Sequence, residues 1–150
     1  MRRIILLLWM AAALSWAADP DFTGKWRLNS ARSDRSSLSE PAAAVLNIAH
    51  KANQIRVTSG EASAAPAMSW SFTTDRKESR YRIGESSRST VVKWEGDSLL
   101  INTLVNGRTR SYTVMDRWKL SRDGRTLKVE RQIESPGGET EATFIYDREQ

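Results

Sequence analysis

The chain carries one histidine, His50, and no cysteine. Thiolate nucleophiles, thiolate metal sites and disulfides are therefore excluded. With a single imidazole, no Ser-His-acid set, metal-ligand cluster or phosphate loop can be assembled from recognisable spacing. Asp116 and Glu130 alternate across strand faces and cannot work as one acid–base pair. A haem iron would want an axial histidine, but a lone strand histidine is ordinarily a rim or packing residue. Recognition chemistry is what remains. Arg110, Tyr112, Asp116 and Arg131 stand inside segments that otherwise alternate with apolar residues. Trp26 and Tyr146 add aromatic surface near the two ends of the chain. An arginine, a tyrosine and an Asp–Arg pair among aromatics is the make-up of many small-molecule pockets. Asp116–Arg131 has a plain structural alternative, an internal ion pair with no ligand, and Arg110 can equally curl toward solvent at a rim. No catalytic residue, metal or cofactor is expected, and the chain is not read as an enzyme.

Whether these residues meet depends on the elements that carry them. From residue 66 onward the chain repeats an alternating strand, a short turn and another alternating strand. "EGDS" (95–98), "VNGR" (105–108), "SRDGR" (121–125) and "SPGGE" (135–139) each set Gly beside Asp, Asn or Gly. Such pairs tolerate the positive φ that tight hairpins need. Between them lie "STVVKW", "SLLINTLV", "TRSYTVMDRWKL", "TLKVERQI" and "TEATFIYD", rich in β-branched and aromatic residues. "AMSWSFTT", "SRYRI" and "NQIRVTS" alternate as well. With the opening stretch and "AVLNIAH", about ten strands are predicted. The segment 40–52 has helical spacing at Ala42, Val45, Leu46 and Ala49, but period two puts Leu46, Ile48 and His50 on one face, and a strand is the favoured reading.

Centring each turn on its glycine pair predicts a register. Trp94 then faces Leu99 and Val92 faces Ile101. Around Asn106–Gly107, Ile101 faces Tyr112, Leu99 faces Val114 and Thr103 faces Arg110. Trp118 faces Val129 and Val114 faces Ile133. Around Gly137–Gly138, Ile133 faces Ala142, Arg131 faces Phe144 and Val129 faces Tyr146. Four turns thus assign one apolar face without a parity slip, where a one-residue error would turn a strand inside out. That face also holds Asp116 opposite Arg131.

Arg2 and Arg3, the run "IILLLWMAAAL" and the small residues of "SWAADP" describe a secretory signal peptide, with cleavage expected between Ala17 and Ala18. The apolar run is shorter than the roughly 20 residues of a membrane span. Residues 18–150 then form a single domain with 21 basic and 18 acidic residues, a net charge of +3. The charges are scattered, so no nucleic-acid footprint is read. Trp26, Trp70, Trp94 and Trp118 fit core positions, and 30–41 reads as a long surface loop or lid.

"FTGKWRLNS" resembles the first-strand motif of the calycins, the lipocalins and fatty-acid-binding proteins, in which a tryptophan closes one end of an up-and-down barrel. The wider chain is similar to small secreted bacterial proteins described only as lipocalin-like, through "DFTGKWRLN", "VVKWEGDSLLI", "DRWKLSRDGRTLKVER" and "FIYDRE". The resemblance implies an all-β, antiparallel meander barrel of about ten strands. It also implies a basic side chain over Trp26, with Arg131 and Arg148 as candidates. The chain departs from intracellular fatty-acid-binding proteins in two ways. Residues 30–41 are too short and broken for their helical lid, and "RSY" (110–112) precedes the last strand, where their Arg-x-Tyr lies. The expected function is a secreted or periplasmic binding protein, monomeric, holding a small hydrophobic or amphipathic ligand against Trp26, Arg110, Tyr112, Asp116, Arg131 and Tyr146. The alternative is a barrel plugged by its own aromatics that acts through its loops.

Overall fold

A computed structural model describes residues 18–35, 42–60 and 67–150. The predicted signal peptide, part of the 30–41 loop and residues 61–66 lie outside the described residues. Alternating sequence and Gly-bearing turns give ten antiparallel strands in the order expected of a meander. They are β1 (Gly24–Leu28), β2 (Val45–Lys51), β3 (Gln54–Ser59), β4 (Met68–Thr73), β5 (Ser79–Ile83), β6 (Ser86–Glu95), β7 (Ser98–Asn106), β8 (Ser111–Leu120), β9 (Thr126–Ser135) and β10 (Gly138–Arg148). The sheet runs β4-β3-β2-β1-β10-β9-β8-β7-β6-β5. Neighbours in sequence pair, β1 joins β10, and the result is a nearly closed barrel. The gap lies between β4 and β5, which run side by side without a ladder. Near the turn joining them, the Thr73 N–H donates to the Ser79 Oγ at 3.3 Å. Among the described residues no helix is long and apolar enough to cross a membrane.

The 40–52 segment takes the strand reading from Val45 onward. Leu46 and Ile48 are buried, and the His50 side chain follows them on the same face.

Two of the four predicted turns keep their register. Trp94 faces Leu99 and Val92 faces Ile101, while Trp118 faces Val129 and Val114 faces Ile133. The other two are corrected. Gly107 donates its N–H to the Arg110 carbonyl at 3.0 Å, so the β7–β8 loop is centred on Arg108 and Thr109 rather than on Asn106 and Gly107. Tyr112 therefore faces Val105, Val114 faces Thr103, and Leu99 faces Trp118. In the β9–β10 turn Ser135 pairs with Gly138, leaving Pro136 and Gly137 as the central residues. Proline favours the first central position because its φ is already set for it. Arg131 consequently faces Ala142, Val129 faces Phe144, and Leu127 faces Tyr146. Both shifts move each strand's partner by an even number of residues, so every side chain keeps its face.

The inner face is divided along the barrel axis. One end is filled by Phe22, Trp26, Trp94, Trp118 and their aliphatic neighbours. The other end, flanked by Ala42, Gly60, Met68 and Ile83, is hollow.

Candidate functional site

The filled end explains the Gly24-x-Trp26 motif in physical terms. Trp26 is fully buried, and its indole N–H donates to the Phe22 carbonyl at 2.9 Å. The Arg148 guanidinium lies 4.3 Å from the Trp26 ring centroid. Its Nε donates to the Gly124 carbonyl at 2.8 Å, and its Nη1 donates to the Thr23 carbonyl. Arg148, rather than Arg131, is thus the basic side chain over the tryptophan. A Cβ on Gly24 would stand 2.6 Å from the Arg148 Nη1, and Gly24 has φ +153°, so the position is held by a residue without a side chain. Phe22 stacks on Trp94 at 5.9 Å and meets Trp118 edge-on at 5.8 Å. His50 completes the stopper beside Phe22. Its Nδ1 accepts the Phe22 N–H at 3.4 Å and its Nε2 donates to the Ala52 carbonyl at 3.1 Å, a tautomer assigned from those partners.

The hollow end encloses about 540 Å³, within the usual range for small-molecule sites of roughly 300–1,000 Å³. Trp70, Phe72, Ile101, Trp118, Val129 and Phe144 supply most of its apolar wall. Trp118 contributes a buried indole N–H with no acceptor. Asp116 and Arg131 line the same cavity, directly opposite each other on β8 and β9. Arg131 reaches both carboxylate oxygens, Nε to Oδ1 and Nη2 to Oδ2, each at 2.7 Å. Asp116 is only 8% exposed. Such a two-pronged fork fixes geometry as well as charge. The Arg131 guanidinium also lies 5.3 Å from the Phe144 ring centroid. Tyr146 joins this group. Its hydroxyl donates to the Ala43 carbonyl at 3.1 Å, tying the segment before β2 to the barrel wall. Burial pushes the Tyr146 phenol up to about 12, with Arg131 opposing the rise and Asp116 adding to it.

The six residues singled out from sequence therefore separate. Asp116, Arg131 and Tyr146 come together on the cavity wall. Trp26 belongs to the stopper and does not line the cavity. Arg110 falls in the β7–β8 loop, exposed, with its guanidinium 5.6 Å from the Tyr112 ring centroid. Tyr112 is half-buried in a satellite cluster with Val105, Val114 and Ile133, also off the cavity lining. The longer loop is what moves Arg110 off the strand and out to the rim.

Sequence reasoning passed over Arg88. It lines the cavity from the inner face of β6, between Tyr81 of β5 and Val105 of β7. The signal was present, since running the alternation back from Val92 through Thr90 places Arg88 inside. The three serines of "SSRS" hid it, because they carry no apolar marker of face. Beside it, the Tyr81 hydroxyl bonds the Thr90 Oγ1 at 2.9 Å, and Thr90 bonds the Thr103 Oγ1 at 2.8 Å. A second depression, of about 670 Å³, lies on the outer face of β6–β10. Two of its charged residues pair with surface neighbours, Arg117 with Glu95 at 2.8 Å and Glu130 with Lys128 at 2.5 Å. It is a solvated sheet face.

No protein-family model and no curated protein sequence matches the chain. Solved structures do. A secretory abundant heat soluble protein from Ramazzottius varieornatus superposes with a TM-score of 0.65 at 13% identity, over 89% of this chain and 98% of that one. Apo lipid binding protein 8 from Caenorhabditis elegans gives a TM-score of 0.62 at 13% identity, over 85% and 95%. Zebrafish ileal bile acid-binding protein in complex with cholic acid gives 0.56 at 15% identity, over 85% and 98%. At these identities the likeness establishes the fold, a barrel of the lipocalin and fatty-acid-binding type.

Proposed function

We propose that the chain is an exported binding protein that holds a small hydrophobic or amphipathic molecule in the hollow end of its barrel. The observation that carries this reading is the cavity of about 540 Å³, walled by aromatic and aliphatic side chains above an aromatic stopper. A packed interior normally leaves few voids larger than a water molecule, so an apolar space of this size calls for an occupant. Each methylene buried there would contribute about 0.8 kcal/mol. The Asp116–Arg131 fork and Tyr146 would orient polar parts of the ligand. Barrels of the same fold described as binding lipid or bile acid support the reading. Export is supported by the charged, apolar and small-residue pattern of residues 1–17.

Native mass spectrometry of the protein purified from its own source tests this directly. A co-purifying small molecule, lost on denaturation, is the expected result, on a chain whose N-terminus is Ala18. Only the apo mass, together with no uptake of the neutral probe phenylnaphthylamine, would leave the plugged interaction module as the better reading.

A further inference from the structure

We propose that Arg88 anchors the carboxylate of an anionic amphiphile, whose apolar body then extends toward Trp118. The proposal rests on the reading that the hollow end binds a ligand, and adds to it the charge and orientation of that ligand. Three charged side chains line the cavity, Arg88, Asp116 and Arg131. Asp116 and Arg131 neutralise each other through their fork. Arg88 is left as the unbalanced charge, and its Nε is buried with no hydrogen-bond partner. Buried donors are nearly always satisfied, and one that is not needs a reason. The polar groups beside it have the same bias. Tyr81, Thr90 and Thr103 hold three hydroxyl protons and form two bonds among themselves. One proton remains for an outside acceptor, and Tyr81 and Thr103 both line the cavity. A guanidinium and a surplus hydroxyl are donors awaiting a group that only accepts, which is what an ionised carboxylate does. Arg88 lies four residues along β6 from the Asp116–Arg131 row, about 13 Å of strand. The two polar features are therefore separate points, one neutral and one cationic.

The test uses two probes with one tail, dodecanoate and uncharged dodecanol, titrated at pH 7 against the mature protein while displacing phenylnaphthylamine. Wild type is expected to bind dodecanoate more tightly than dodecanol. Arg88→Met should weaken dodecanoate by about ten-fold or more, with dodecanol and phenylnaphthylamine unchanged. Arg56→Met, which removes an exposed arginine from β3, should leave all three as in wild type. Undiminished dodecanoate binding by Arg88→Met overturns the proposal but not ligand binding. A loss shared by the neutral probes, in Arg88→Met and Arg88→Gln alike, also overturns it, since Arg88 would then support the wall. Wild type that takes up none of the three probes refutes the binding reading itself.

Discussion

A charged pair facing inward from β8 and β9 decides much of what the barrel wall can tolerate. Desolvating two ions costs several kcal/mol each, and their attraction offsets this only with good geometry. Asp116 and Arg131 have that geometry, with both carboxylate oxygens engaged at 2.7 Å. Removing one partner takes away the fork that offsets the other's desolvation. Asp116→Leu or Arg131→Met alone should therefore lower stability by about 3–5 kcal/mol. The double variant should lose much less than the sum, and a double-mutant cycle by denaturant unfolding measures the coupling. Additive losses would mean that the fork contributes nothing beyond its separate parts. Arg148 makes a different use of the same chemistry. Its charge faces the Trp26 ring and carbonyl oxygens, and the acid that feels it, Asp21, is exposed, so it seals one end without needing a carboxylate buried beside it.

At the scale of strands, the β4–β5 gap is where the barrel is weakest. Every other neighbouring pair shares a ladder, while β4 and β5 each have one edge without one. Met68, at the start of β4, is 50% exposed. Amide hydrogen exchange should be fastest among the strands in β4 and β5, and slowest in β7–β9, whose ladders are long on both sides. Uniform protection around the barrel would show that side-chain packing closes the gap as firmly as hydrogen bonds. How much of this was legible in sequence depends on what each signal encodes. Period-two alternation encodes face, so ten strands and the inward set of Asp116, Arg131 and Tyr146 could be read directly. Pairing across a turn depends on loop geometry. The Gly107–Arg110 backbone bond and the Pro136 turn shifted partners without changing faces. The β4–β5 gap leaves no mark on alternation at all, because an edge strand buries one face just as an interior strand does. Arg88 failed for a local reason, since flanking serines give no contrast between inside and outside.

Taken whole, the molecule is a tube with unlike ends. A stopper of Phe22, Trp26, His50, Trp94 and Trp118 fills one end, and the cavity left toward the other is lined by residues from β2 through β10. This division largely separates the residues that close the barrel from those that line its cavity. Substitutions in the stopper are expected to act on the fold, whereas Arg88 and Tyr81 line the cavity without belonging to the stopper, and Trp118 alone is shared by both. It also explains why the best-marked sequence motif, Gly24-x-Trp26, lies away from the cavity: it marks how the tube is closed.

The joining of β1 to β10 has a consequence for how the chain acquires its structure. Apart from this seam, each ladder joins strands next to each other in sequence, so hairpins can form as soon as their residues are available. The seam instead brings Arg27 to Glu149 across 122 positions. Closing so long a loop costs entropy before its contacts repay any of it. Contacts at the seam are then expected to form after the rate-limiting step of folding. Trp26→Ala, which empties a large aromatic site at a cost of about 3–5 kcal/mol, should speed unfolding by nearly the whole of that energy and leave the refolding rate almost unchanged. Stopped-flow chevrons would show it, and a slowed refolding limb would place the seam in the nucleus instead. On this view the clasp between the first and last strands sets the lifetime of the folded state, not how quickly it is reached.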